Sequence, residues 1–231
     1  MIKQNIEKIR ARIAQAARRA GRSPKEVRLM GVTKTRPAEM IKEAMDAGLD
    51  LLGENYVQEA EGKILSLGNA ARQAEWHMIG HLQRNKAKKA CQLFDCIETV
   101  DSEKLAKAVS RHASDMAKEI SVLIQVNIAK EPQKSGVLPE EAASLVTRIA
   151  DLPSIHVDGL MVIPPYSSEP EASRKWFSLA RDLRDQLSSL FNGKIELREL
   201  SMGMSNDFEV AVEEGATIVR IGTAIFGPRG T

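Results

Sequence analysis

The sequence predicts an α/β fold: a single (β/α)8 TIM barrel, one domain over residues 1–231, with an extra helix at its N-terminus. Short apolar runs alternate with longer amphipathic stretches along the whole chain. The helical stretches carry start and stop signals at their ends. Eight strand–helix units imply a parallel sheet with right-handed crossovers, and eight such units can close into a barrel. A doubly wound open sheet is the alternative fold, weakened because no G-x-G-x-x-G follows the first strand.

A helix over Ile2 to Ala20 precedes the first strand. The strands are expected over Val27 to Thr33, Leu51 to Gly53, Trp76 to Gly80, Cys96 to Val100, Ser121 to Ile128, Val157 to Ile163, Glu199 to Met202 and Thr217 to Ile221. Between them the 3.6-residue period predicts helices over Pro37 to Ala47, Val57 to Leu67, Asn85 to Gln92, Ser102 to Met116, Pro139 to Ala150, Glu171 to Phe191 and Ser205 to Glu214. Asp101 and Ser102 are placed to cap the fourth of these, and Pro139-Glu140-Glu141 puts proline and acids where a helix start favours them. Gly48 and Gly215 follow helix ends, as left-handed caps would.

The chain has 231 residues, 43% of them hydrophobic, which suffices for a large core. A net charge of +2 gives no overall field directed at nucleic acid or membrane. No apolar run approaches the roughly 18 residues that span a bilayer. The polar start Met1-Ile2-Lys3-Gln4 has no signal-peptide core. Cys91 and Cys96 match neither a zinc pair nor a redox C-x-x-C, and are read as reduced thiols of a cytoplasmic protein.

Lys34 closes the first apolar strand, just before Pro37. A lysine at a strand end can sit in a partly desolvated pocket as a nucleophilic amine, or carry its ammonium to water. In such barrels function lies at the C-terminal strand ends, and a phosphate site often forms after strands seven and eight. Here those loops contain Ser201, Met202, Gly203 and Ser205, then Gly222 and Thr223. Their hydroxyls and backbone N–H groups suit an anion, and Ser205 is placed to cap the following helix; two ordinary strand–helix turns are the plainer alternative. Arg220 interrupts an apolar strand, so it needs either a buried carboxylate partner or a role at a cofactor ring, where a fixed cation would oppose protonation of a pyridine nitrogen.

His77 and His81 form H-x-x-x-H, but in a strand they lie about 13 Å apart, too far for one metal ion. The basic run Arg84 to Lys89 reads as a solvated helix face, with an acidic partner as the alternative. The polar loop Lys130 to Gly136 lies at the same end as Lys34 and is either a cover for the pocket or plainly exposed.

Taken together, Val32-Thr33-Lys34-Thr35, Gly53-Glu54-Asn55, Trp76 through Lys86, Gly159-Leu160-Met161, Ser201 through Ser205 with Asp207, and Val219 through Gly227 resemble the pyridoxal phosphate homeostasis proteins of the YggS/PROSC type. The resemblance runs through the whole chain in order. It implies a barrel of the alanine racemase N-terminal domain type and a pyridoxal 5′-phosphate cofactor held as an aldimine on Lys34. It implies phosphate contacts from the Ser201–Ser205 and Gly222–Thr223 loops, Arg220 near the pyridine nitrogen, and Asn55 and His81 as pocket residues. Bacterial alanine racemases add a β-domain that supplies a tyrosine base. This sequence runs only four residues past Gly227, and its two tyrosines, Tyr56 and Tyr166, fall within the barrel. The expectation is therefore a monomeric, non-catalytic protein that buffers or delivers the cofactor, with apo pyridoxal phosphate enzymes as partners and a racemase as the alternative.

Overall fold

The computed structural model describes residues 1–228. Its strands are β1 (Arg28–Val32), β2 (Leu51–Glu54), β3 (Glu75–Met78), β4 (Cys96–Val100), β5 (Ile120–Val126), β6 (Ile155–Val162), β7 (Glu199–Ser201) and β8 (Ile218–Ile221). Its helices are α1 (Ile2–Arg19), α2 (Ala38–Asp46), α3 (Val57–Leu67), α4 (Ala87–Leu93), α5 (Glu103–Asp115), α6 (Pro139–Ile149), α7 (Arg174–Leu190), α8 (Phe208–Glu213) and the single turn α9 (Thr223–Phe226).

All neighbouring strands pair in parallel, and β1 also pairs with β8, in the register Arg28↔Ile218 to Gly31↔Ile221. That last pairing closes the barrel and decides against the open sheet. Residues two apart face the same side of a strand. On β1, β3, β4 and β8 the inward sets are Met30 and Val32, Glu75 and His77, Cys96 and Glu98, and Ile218 and Arg220. The interior holds two small apolar clusters, Met30, Leu51, Ile79 and Ile218, and Cys96, Leu123 and Met161. The main core lies between strands and helices.

The N-terminal helix is not an addition to the ring. Its stripe Ile2, Ile6, Ile9, Ile13 and Ala17 is buried at helical spacing. It packs against α8, α9 and α2, so it occupies the outer position that a helix after β8 would fill, and α9 is only one turn long.

Local signals act largely as the sequence suggests. Ser102 Oγ accepts from Leu105 N at 3.4 Å, and Glu141 accepts from the Leu138 N–H at the start of α6. Gly48 and Gly215 have φ of +84° and +103°. Most element ends shift by one to three residues from the expected bounds, and two of these shifts bear on the site. β1 stops at Val32 rather than Thr33, and α8 begins at Phe208 rather than Ser205. The cap of α8 is Asp207, whose Oδ1 accepts from Met204 N at 2.8 Å, so residues 205–207 form a turn that leads into the helix. Cys91 and Cys96 are buried and not joined. No described helix is long and apolar enough to cross a membrane.

Candidate functional site

Lys34 stands in a turn directly after β1, half-buried. That turn is held from below by charged groups. Lys63 Nζ, on α3, donates to the Thr33 carbonyl at 2.6 Å, to Glu54 Oε1 at 2.5 Å and to Glu59 Oε1 at 2.6 Å. Thr33 Oγ1 donates to the same Glu54 oxygen at 2.5 Å. Glu59 also accepts from the Thr35 N–H, and Thr35 has φ +62°, a left-handed conformation that a β-branched residue rarely adopts. Burial pushes the Glu54 carboxyl above its ordinary value, against the pull of Lys63 and Thr33. The residues flanking Lys34 are thus fixed on both sides by one ionic cluster.

Above the turn lies a cavity of about 410 Å³ at the C-terminal end of the strands. Lys34, Asn55, Ser205, Arg220, Gly222 and Thr223 line it, so six of the ten sequence-expected site residues share one space. Ser205 and Thr223, from the loops after β7 and β8, bring their hydroxyl oxygens to 3.4 Å. Asn55 Oδ1 is buried and has no hydrogen-bond partner among the described residues. Such an atom wants a donor, and a bound molecule in the cavity would be positioned to supply one. The opposite wall is the segment Ile163 to Ser167 after β6. Asn206 Nδ2 ties it at the Ser167 carbonyl (3.0 Å), and Lys134 Nζ ties it at the Pro164 carbonyl (3.0 Å).

The other four expected residues lie elsewhere. Ser201 is fully buried; its Oγ donates to Glu98 Oε2 at 2.6 Å and accepts from Arg220 Nη1 at 2.7 Å. It faces the barrel axis beneath the cavity because β7 places it inward. Met202 is fully buried in the outer core. Gly203, with φ +90°, is a packing residue: a Cβ there would meet Ala211 Cβ at 2.5 Å. His81 is exposed, with Nδ1 4.0 Å from Asp101, and is not among the lining residues. His77 is enclosed between Glu75 and Glu98, so the two histidines do not converge. The Lys130–Gly136 loop buttresses the wall through Lys134 and contributes no lining residue. In the basic run, Lys89 pairs with Glu61 and Arg84 is exposed.

Three further lining residues are not among the expected site residues, although Asp207 belongs to a motif that carries the resemblance. Arg36, nearly buried, holds the carbonyls of Gly227 and Pro228 at 2.5 and 3.0 Å and so anchors the end of the barrel beside Lys34. Asp207 lines the cavity as well as capping α8. Tyr166 stands on the far wall, 86% exposed. Arg36 sits two residues from Lys34 in the same turn, a signal that was available; Tyr166 follows two prolines in a loop whose path no periodicity gives.

A closed parallel barrel with a lysine after β1, two hydroxyl-bearing loops after β7 and β8 and a buried arginine on β8 defines the class of protein. Comparison with known proteins agrees. A family model described as alanine racemase, N-terminal domain, matches residues 4–230, and the chain belongs to that family. A pyridoxal phosphate homeostasis protein of Aquifex aeolicus is 43% identical over 98% of this chain and 97% of its own length. One from Escherichia coli K12 is 41% identical over 99% and 97%. Among solved structures, PipY of Synechococcus elongatus with pyridoxal phosphate bound superposes with a TM-score of 0.87, at 34% identity, covering 98% of this chain and all of that one. An alanine racemase of Clostridium difficile shares the fold at a TM-score of 0.72 and 13% identity, with 57% of its length covered.

Proposed function

We propose that this chain, as one barrel domain, binds pyridoxal 5′-phosphate through Lys34 and serves to hold and hand over the cofactor to apo-enzymes without turning over amino acids. The single observation that carries this is the cavity in which Lys34 shares the lining with Arg220 and the Ser205–Thr223 hydroxyl pair. The cofactor would bring an aldehyde for the lysine amine and a phosphate dianion for the hydroxyls. Asn55 Oδ1, buried and without a partner among the described residues, suits a hydroxyl donor on the ligand. Thr33, Glu59 and Lys63 fix the backbone on both sides of Lys34, so the turn that carries the amine is set before a ligand arrives. Arg220 presents a permanent cation, which opposes protonation of a ring nitrogen and so weakens an electron sink. The names borne by relatives over nearly full length favour homeostasis over catalysis.

The test is the visible absorption spectrum of the purified protein with added pyridoxal phosphate, wild type against Lys34→Ala. A bound-cofactor band in wild type that the variant lacks is expected; identical spectra matching free cofactor would overturn the reading. Mixing the loaded protein with an apo pyridoxal phosphate enzyme should restore that enzyme's activity. One observation favours a second reading, an amino-acid racemase: Tyr166 lines the same cavity as Lys34 and could act as the second base. Racemisation of single-enantiomer alanine or serine, abolished by Tyr166→Phe, would establish that reading instead.

A further inference from the structure

Beneath Arg220 lies a buried polar column whose other members the binding reading does not use. Arg220 Nη1 donates to Ser201 Oγ at 2.7 Å, and Nη2 donates to the Val162 carbonyl at 2.9 Å. Ser201 Oγ donates to Glu98 Oε2 at 2.6 Å. Glu98 Oε1 lies 2.7 Å from His77 Nδ1, and His77 Nε2 lies 2.7 Å from Glu75 Oε1. Glu75 in turn pairs with Arg28 near the opposite face of the barrel. Ser201 and Glu98 are fully buried, and His77 and Arg220 nearly so. The column therefore alternates cation and anion from the cavity wall to the far end.

Its directionality is set by chemistry. A serine hydroxyl has one hydrogen to donate, and a guanidinium can only donate. With Arg220 donating to Ser201, the hydroxyl hydrogen goes to Glu98. An always-charged guanidinium inside a barrel needs a counter-charge, and Glu98 supplies it from one hydroxyl away. A direct carboxylate pair would engage the guanidinium on two donors and draw it down towards the axis. The interposed serine leaves it on the cavity wall, where it is found. Burial disfavours the Glu98 carboxylate, but His77, Arg220 and Ser201 outweigh it and hold the group below its ordinary value. Burial likewise works against an imidazolium at His77; the Cys96 sulfur and the two carboxylates outweigh it. Because burial raises the Cys96 thiol itself, the carboxylates are the anions that face His77 at neutral pH. Asp207 is the other carboxylate that acts on Arg220.

We propose that Glu98 is a positioning residue of this site: acting through Ser201, and itself held by His77, it fixes the aim and the effective charge of Arg220 on the cavity wall. The proposal rests on the cofactor reading above and deepens it.

The test compares wild type, Glu98→Gln and Ser201→Ala, each titrated with pyridoxal phosphate and then with pH while the visible band is followed. Both variants keep Lys34 and are expected to form the band. Glu98→Gln removes the nearer counter-charge and leaves Asp207 as the carboxylate that acts on Arg220, so the more positive cavity should lower the protonation midpoint of the band, by about half a unit or more. Ser201→Ala, which cuts the link but keeps the carboxylate, should displace the midpoint too. Each should alter cofactor affinity by roughly threefold or more, the scale of one net hydrogen bond, because the freed guanidinium leaves its position on the wall. Phe177→Leu, fully buried outside the column, serves as a control that lowers stability alone. Wild-type midpoints and affinities in folded variants would overturn the proposal, as would an equal displacement in the control. If Glu98→Gln does not fold, Ser201→Ala decides. Absence of any band in wild type would sink the cofactor reading itself, a different failure.

Discussion

Replacing Lys63 with methionine should destabilise the protein in a strongly pH-dependent way. Lys63 is buried and is the only cation that bonds Glu54 among the described residues, while Glu54 is fully buried and its Oε2 already lacks a partner. Removing one member of a buried pair costs about 3–5 kcal/mol. The orphaned carboxylate has an escape, which is to take up a proton. From the ordinary value of 4.5, that costs about 3.4 kcal/mol at pH 7 and only about 1.4 kcal/mol at pH 5.5. Protonation therefore caps the charge penalty. The Thr33 carbonyl also loses its donor, adding about 1 kcal/mol that does not depend on pH. The expected loss is thus about 4 kcal/mol at pH 7 and about 2 kcal/mol at pH 5.5. Urea unfolding of the cofactor-free protein at the two pH values reads the difference directly, provided the slope with denaturant is unchanged. The double variant Glu54→Gln/Lys63→Met should recover most of the pH-dependent part. A loss equal at both pH values, or under about 1 kcal/mol at pH 7, would refute the assignment of Lys63 as the counter-charge beneath the Lys34 turn.

Three further outcomes are expected. Gly80→Ala would place a Cβ 2.2 Å from the Asn55 carbonyl oxygen, a backbone atom that cannot swing aside; it should cost at least about 1–3 kcal/mol and weaken cofactor binding, whereas Gly62→Ala, with open space inside α3, should gain about 0.5–1 kcal/mol in the same thermal melts. Ile6→Ala empties a fully buried position on α1 and should cost about 2–5 kcal/mol in chemical denaturation, because that helix completes the outer ring; a cost near zero would mean that α1 is dispensable. The column beneath the cavity fixes the sign of two pH effects. Glu75, held to about 2 chiefly by its bond to His77, and Glu98, also held low, contribute stability that is present above about 4.5 and lost as pH falls through their folded values. His77, held high, contributes stability that is full below about 6.5 and lost as pH rises through its folded value. Melting temperature against pH should accordingly fall at both ends, and His77→Asn should flatten the alkaline limb; an unchanged limb would remove His77 as its source.

The sequence alone determined the order and kind of the elements. Alternation of apolar runs and amphipathic stretches gives α3 at its observed ends and places the other helices and the strands within a few residues, because burial of one helical face or both strand faces leaves its period in the chain. It placed Lys34 at a strand end and marked Arg220 as a charge inside an apolar strand that demands a partner. It could not decide closure, since open and closed parallel sheets share the same alternation. That choice rests on β1 meeting β8 across nearly the whole chain. Nor could it give the ring position of α1, because an apolar stripe records that a helix is buried and not against which neighbour. Two of the four displaced site residues, Ser201 and Met202, share a cause. In a strand, one residue of offset turns a side chain to the opposite face, so in the three-residue β7 Ser201 points to the axis and Met202 to the outer core, while only the loop beyond reaches the cavity. Periodicity carries no information about where a loop goes. Tyr166, the hold of Arg36 on the Gly227 and Pro228 carbonyls and the Ser205–Thr223 pairing became visible only when the tertiary structure brought segments up to about 190 residues apart to one mouth, a distance that only long-range packing can close.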